Sequence, residues 1–350
     1  MAKKVRMGIV GMGIGKVNGR ALDANPRGEI VAICDIIPEK MDVFEEELGR
    51  PVKKYISFRK MCRDAEVDAV FVGTPNQVHV PVAMAAVRND KHVLCTKPLA
   101  DSGAAAAKLI PAAEASGVVN MMSLSTRFSP PCQYVRSRID RGVFGELYYA
   151  RARSIRRSGI PDWNEGFVQK GGGAFRDMGV HVLDAVWWLL GMPKPISATG
   201  VAGAKFGPKG QGYWDFRVPP RSLSKQYVSD DYAGGFLRFE GGAGVQVESF
   251  WASHQPEDFQ VELFGTKAGG RVFPPKVYRT QDGFPQDVEV HVPPSARGEW
   301  DNIAAHFIDC ILDGVPCRAP LRHGLIVQRM MEAVLESGRK GKEVRVPEVK

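Results

Sequence analysis

A chain of 350 residues exceeds one ordinary hydrophobic core and implies two domains or one large α/β unit. Its 44% hydrophobic and 25% charged residues suit a soluble globular protein, and the net charge of +8 is spread without any long run of like charges. Neither nucleic-acid binding nor membrane spanning is expected from this pattern, and the positive balance is better matched to small anionic ligands.

The N-terminal stretch MAKKVRMGIVGMG reads as a first strand, Val5 to Val10, entering a glycine turn, and not as a signal peptide. The turn holds Gly11, Gly13, Ile14 and Gly15, and a helical stretch continues through Leu22. A buried-strand pattern from Glu29 to Cys34 then ends in Asp35, followed by Ile36. Strand, glycine turn, helix, strand and acid is the βαβ arrangement of dinucleotide binding. The glycines let backbone approach a diphosphate, which sits over the helix N-terminus. Asp35 lies 20 residues beyond Gly15, where a carboxylate accepts hydrogen bonds from ribose hydroxyls. It would repel a 2′-phosphate, so NAD is expected over NADP. The GxGxG spacing also occurs in S-adenosylmethionine-dependent methyltransferases, but Ile9 and Val10 stand where those enzymes usually carry an acid.

Val67 to Val72 reads as a further strand leading into Gly73, Thr74, Pro75 and Asn76. A helix from about Val80 to Arg88 follows, and the strand His92 to Cys95 runs into Thr96, Lys97 and Pro98. Alternating strands and helices build a parallel sheet whose ligand crevice lies at the C-terminal strand ends, and Thr74, Asn76 and Lys97 fall there. Cysteines 34, 62, 95, 132, 310 and 317 form no C-x-x-C pair, which fits reduced thiols in the cytoplasm. No metal site is expected.

The segment RARSIRRSGIPDW from Arg151 to Trp163 places Arg151 and Arg153 on one face of a strand, with Arg156, Arg157 and Trp163 in a loop. That loop either covers a substrate, through Arg157 and Trp163, or is a solvated edge. GGGAFRDMGVHVLD, Gly171 to Asp184, leads three glycines into an apolar helix with Asp177, His181 and Asp184 spaced along one stripe. An imidazole beside carboxylates handles protons near neutral pH, or it is a buried structural histidine tied to an acid. The region from Phe206 to Asp231 reads as a long loop or insertion. The stretches 236–239, 244–251 and 259–264 alternate as strands of one sheet, whose open face calls for subunit pairing as a homodimer or homotetramer.

Several of these motifs, in this order, resemble the glucose-fructose oxidoreductase/inositol dehydrogenase (Gfo/Idh/MocA) family. They are VDAVFVGTPNQVHVPVAMAAVRNDKHVLCTKPLA, TRFSP at 126–130, GGGAFRDMGVHVLD and VELFGTKAGG at 261–270. The resemblance implies a Rossmann domain over residues 1–124. A substrate-binding and oligomerisation α/β domain on a large, open, mostly antiparallel sheet would follow over 125–350. It also implies NAD(P)-dependent hydride transfer on a sugar, polyol or related small molecule. Under it Lys97, Asp177 and His181 are catalytic, with Asp177 and His181 also on substrate. Thr74, Pro75, Asn76, His79, Thr96, Lys97 and Arg127 join the glycine loop, Asp35 and Ile36 around the cofactor. Two departures stand out: the glycine loop is one residue short, and Thr96 replaces the usual Glu before the Lys-Pro pair. In this mechanism His181 takes the hydroxyl proton, Asp177 orients the ring or holds substrate, and Lys97 stabilises the reacting oxygen. The same fold hosts redox-neutral glycoside hydrolases that retain NAD, which is the alternative reading. A non-catalytic cofactor-binding regulator would need no such proton relay.

Overall fold

The computed structural model describes residues 3–294 and 296–349. They divide into two compact units. One holds the chain up to Ser125 together with Arg297–Leu325, and the other holds Thr126–Ala296 with Ile326–Glu348.

In the first unit, six strands form a parallel sheet: β1 (Val5–Val10), β2 (Gly28–Cys34), β3 (Lys53–Tyr55), β4 (Ala69–Val72), β5 (His92–Thr96) and β6 (Asn120–Ser123). Their order is β3-β2-β1-β4-β5-β6. The chain therefore reverses its direction of growth between β1 and β4, the place where doubly wound sheets open a ligand crevice. The inner strands are almost wholly buried, as expected of a parallel sheet covered on both faces by helices. Those helices are α1 (Ile14–Ala24), α2 (Pro38–Leu48), α3 (Phe58–Cys62), α4 (Asn76–Val87) and α5 (Gly103–Ala115).

The return of residues 297–325 to this unit differs from a single boundary near residue 124. Helices α6 (Ser125–Phe128), α7 (Pro130–Asp140), α8 (Val180–Leu189) and α9 (Arg221–Lys225) precede α10 (Glu299–Leu312) and α11 (Leu321–Lys340) along the chain. Helix α10 packs on α1, where Ile308 lies against Gly28 and Arg27 bonds Asp309 and Asp313. The Met122 N–H donates to Ala319 O at 2.7 Å, which ties β6 to the following segment. An apolar helix face is buried wherever a partner surface exists, and sequence distance is no obstacle once the chain can return.

The second unit is built on nine strands: β7 (Leu147–Ile155), β8 (Pro195–Gly203), β9 (Tyr232–Phe239), β10 (Gly244–Phe250), β11 (Asp258–Gly265), β12 (Ala268–Arg271), β13 (Lys276–Gln281), β14 (Phe284–Glu289) and β15 (Val344–Arg345). They lie in the order β14-β13-β12-β11-β7-β10-β9-β8-β15. All pairings are antiparallel except β10 with β7, so the sheet is mixed and mostly antiparallel. Helix α8 (VHVLDAVWWL) is buried nearly all round and supplies the centre of the core, with Leu183, Val186 and Trp187 packed among Ala152, Val247 and Val261. Residues 206–231 are not a bare loop. They form short helical turns and α9, pinned where the Asp231 carboxylate accepts the N–H groups of Lys205, Phe206 and Gly207.

Candidate functional site

In the first unit the glycine turn follows β1 directly. Gly11 has φ +90°, and a Cβ there would lie 2.5 Å from the Gly73 carbonyl oxygen, so only glycine lets the ends of β1 and β4 close up. Gly13 has nothing within 4 Å of where a Cβ would be, which leaves its backbone open to a ligand. Gly15 packs against Ile9 at the start of α1. The shortened loop thus still supplies the close turn, the open backbone and the tight helix–strand contact of a dinucleotide site, with Gly15 packing one residue early.

Asp35, at the end of β2, accepts the Met12 N–H on Oδ2 at 2.8 Å and the Ile37 N–H on Oδ1 at 3.0 Å. It therefore shapes the glycine loop from the neighbouring strand. Each carboxylate oxygen keeps a second lone pair for a ribose hydroxyl. Ile36 beside it is 82% exposed, an apolar side chain offered to solvent at the crevice edge. At the end of β4, the Thr74 Oγ1 is buried without a hydrogen-bond partner, a polar vacancy that a ligand can satisfy. Pro75 precedes α4 and Asn76 begins it. Thr96 is buried at the end of β5, and the half-buried Lys97 follows, joined to Pro98 by a cis peptide bond.

His79, expected at the cofactor, has both ring nitrogens engaged by backbone carbonyls. It is fully buried, with Nδ1 2.7 Å from the Pro98 carbonyl and Nε2 2.7 Å from the Thr74 carbonyl. It joins the ends of β4 and β5 as a clamp. Burial pushes its pKa down, opposed by the two carbonyl bonds, with the Lys97 charge adding to the lowering.

In the second unit the glycine run Gly171–Gly173 enters a wide π-turn, Phe175–Gly179, before α8 begins at Val180. This differs from the regular helix and straight stripe expected from spacings of four and three. An i→i+5 turn is rare and recurs at functional sites. Here it leaves Asp177 and His181 half-buried while Asp184 is sealed inside. The Trp251 Nε1–H donates to Asp177 Oδ2 at 3.0 Å. His181 Nδ1 lies 3.3 Å from the Thr126 hydroxyl. Arg156 adds positive charge near Asp177, is itself lowered in pKa by burial, and stacks over Trp214 at 4.7 Å.

Arg127, expected beside the cofactor, bonds Asp184 through two of its nitrogens. Its Nε donates to Asp184 Oδ2 at 2.7 Å, Nη2 bonds Oδ1, and both side chains are 1% exposed. Its guanidinium also lies 5.7 Å from the Trp187 ring centroid. Burial raises the Asp184 pKa, and Arg127 opposes that shift. The pair is a buried brace for α8 within this unit. Arg157 is exposed, with a long contact to the Gln255 carbonyl, and Arg156 is the arginine that turns inward. Arg151 and Arg153 form surface ion pairs with Glu262, and Arg153 also with Asp258. Trp163 is 58% exposed and meets Phe167 and Trp214 edge-on; Phe167 in turn meets Trp251. An aromatic wall thus runs from the surface down to the indole that holds Asp177.

Thr126, Arg156 and Trp251 carry this arrangement beyond the residues singled out in the sequence. Thr126 and Arg156 sit beside singled-out residues, but Trp251 is 74 residues from its partner Asp177. Among the described residues, His306, Cys310 and Cys317 bring donor atoms within 4.8 Å of one another. The His306 Nε2, however, accepts the Arg318 N–H at 3.0 Å, so the lone pair a metal would use is engaged.

Residues 5–124 match the family model for the Gfo/Idh/MocA oxidoreductase family with its NAD-binding Rossmann fold, and residues 132–270 match the family's C-terminal domain. The chain is similar to D-glucoside 3-dehydrogenase of Escherichia coli (strain K12), 28% identical over 98% of this chain and 97% of that protein. It is similar to inositol 2-dehydrogenase of Rhizobium meliloti (strain 1021), 31% identical over 57% of this chain and 58% of that one. Levoglucosan dehydrogenase in complex with NADH shares the fold, with a TM-score of 0.87 at 22% identity, covering 99% of this chain and 100% of that chain.

Proposed function

Because the chain belongs to the Gfo/Idh/MocA family and is an oxidoreductase with an NAD-binding Rossmann domain, we propose that it oxidises a secondary hydroxyl of a sugar, polyol or related compound. The observation that carries this reading is the π-turn. It holds Asp177 on Trp251 and puts His181 Nδ1 beside the Thr126 hydroxyl. The Thr126 contact orients the imidazole, so that Nε2 is the nitrogen for proton exchange with substrate.

Bound NAD supplies the hydride acceptor. Gly13, Asp35 and Thr74 are the residues fitted to hold it, on the open backbone, the carboxylate and the orphan hydroxyl described above. Lys97 hydrogen-bonds the reacting oxygen and favours its developing negative charge. His181 takes the hydroxyl proton, and Asp177, fixed by Trp251, holds a neighbouring hydroxyl or the imidazolium that forms. Trp163, Trp214 and Phe167 offer rings to the C–H faces of a carbohydrate, and the polar groups beside them give it orientation. The names of the similar proteins support this substrate class. They give no support to the redox-neutral glycosidase alternative.

The free cysteines of the described residues support a reducing compartment. Exposed Tyr148, Ile196, Val201 and Tyr278 on strands of the nine-stranded sheet support assembly as a homodimer or homotetramer. No helix of the described residues is long and apolar enough to cross a membrane.

The test is absorbance at 340 nm with NAD and a panel of D-glucosides, inositols, anhydrosugars and aldoses. Substrate-dependent NADH formation is the expected result. Glycoside cleavage with no net NADH, or no reaction across the panel with NADH binding intact, overturns the proposal.

A further inference from the structure

The turn that carries Asp177 and His181 is held at its entry by a residue 55 positions further along the chain. Asp230 Oδ2 accepts the Phe175 N–H at 2.9 Å, and its backbone carbonyl accepts the Ala174 N–H at 2.9 Å. The other carboxylate oxygen presses on the glycine run. A Cβ at Gly173, where φ is +109°, would lie 2.1 Å from Asp230 Oδ1. A Cβ at Gly172 would lie 2.0 Å from the Phe167 carbonyl oxygen. Two of the three glycines are therefore required by contacts at the entry to the turn, one of them with Asp230 itself.

The next residue extends the same clamp. The Asp231 carbonyl accepts the Trp251 N–H at 2.9 Å, and the Trp251 indole donates to Asp177. The Ser249 hydroxyl donates to Ala174 O at 2.9 Å from the strand alongside. One dipeptide thus fixes the start of the π-turn through Asp230 and the indole that orients Asp177 through Asp231. A wide turn has fewer favourable backbone contacts than a regular helix, and it persists only where surrounding structure determines it.

We propose that Asp230 is a positioning residue for the reaction, holding the π-turn so that Asp177 and His181 present their polar atoms to substrate. The inference rests on the assignment of Asp177 and His181 to proton handling. Charged and titratable groups near Asp230 are Arg176 on the π-turn, Asp231 beside it and Tyr227, whose hydroxyl lies 3.5 Å from the Asp230 carbonyl. Burial pushes the Asp230 carboxyl up to about 6, against the Phe175 N–H and the Arg176 charge.

Asp230→Ala removes the acceptor, and Asp230→Asn keeps an amide oxygen within reach of the Phe175 N–H. The expected result for Asp230→Ala is a loss of about 10- to 100-fold in kcat with a smaller change in KM. The acid limb of its pH–rate profile should shift, and NADH affinity should stay unchanged. Asp230→Asn should restore kcat to within about threefold of the parent and return the acid limb to its place. If Asp230→Ala does not fold, Asp230→Ser, whose hydroxyl is too short to reach, takes its place in the same measurements. Parent-like kcat and pH profile in the truncated variant overturn the positioning role, and so does equal loss in Asp230→Asn. Those outcomes are separable from failure of the underlying assignment, which shows as normal turnover in His181→Ala and Asp177→Ala.

Discussion

The indole of Trp251 donates to the carboxylate of Asp177 at 3.0 Å, although 74 residues separate them in the chain. Trp251 is completely buried and also meets Phe167 edge-on, so the ring cannot turn away without disturbing the aromatic wall. Trp251→Phe keeps most of the packing and removes the donor. Its kcat should fall about 10-fold, with a change in Tm of only a few degrees. Steady-state kinetics beside a thermal melt checks this, and a large Tm loss with parent-like kcat contradicts it.

Under the proposed function, Lys97 and His181 act in the chemical step. Lys97→Ala and His181→Ala should each lower kcat by about 10²- to 10⁴-fold. NADH affinity, read by fluorescence titration, should move little in either. Parent-like turnover in both variants removes them from the mechanism.

The Arg127–Asp184 pair is sealed from water, so removing one partner strands the other. Asp184→Asn or Arg127→Met alone should cost about 3–5 kcal/mol of stability in urea unfolding. Replacing both by apolar residues of similar volume should recover most of that loss. Additive losses in the double variant show that the two side chains do not act as a pair.

Asp230 gives a pH signature with a defined sign. Its folded-state carboxyl is raised to about 6 by burial, so the fold favours the protonated form. The stability from this group is fully present below the ordinary carboxylate range and is lost as pH rises through about 6. The loss amounts to about 3 kcal/mol for a shift of about two units. Subtracting the urea-unfolding curve of Asp230→Asn from that of the parent isolates this dependence on pH. A difference that is flat from pH 4 to 7 disproves it.

The thiols should be inert in the native protein. Burial pushes Cys34 up to about 12 and Cys62 up to about 11, and Cys95 and Cys132 are raised further by the same cause. Cys317 is the one cysteine that is not fully buried. Titration with a thiol-specific disulfide reagent at pH 7.5 should report at most one fast-reacting thiol when folded, and six in denaturant. Several fast thiols in the native protein contradict the burial pattern.

Local pattern by itself determined the Rossmann half. Continuous apolar strands, glycines after β1 and an acid after β2 leave a short chain few alternatives, and Gly11, Asp35, Thr74 and Lys97 fell at strand ends because strand ends are set within each βαβ segment. The spacing of four between Asp177 and His181 singled both out in the sequence, but the turn that carries them is a π-turn and not the regular helix that spacing implies. Only the tertiary structure decided which polar groups serve and which are sealed. Arg127 sits beside Thr126 in sequence, yet its guanidinium bonds Asp184, and the Thr126 hydroxyl is the group at His181. His79 became a clamp because α4 carries it between two carbonyls of different strands. The π-turn and the grip of Asp230 and Trp251 on it come from long-range hydrogen bonds, 55 and 74 residues apart. Such bonds leave no periodicity in the chain, because the free energy that selects them arises only when packing has brought both partners out of water.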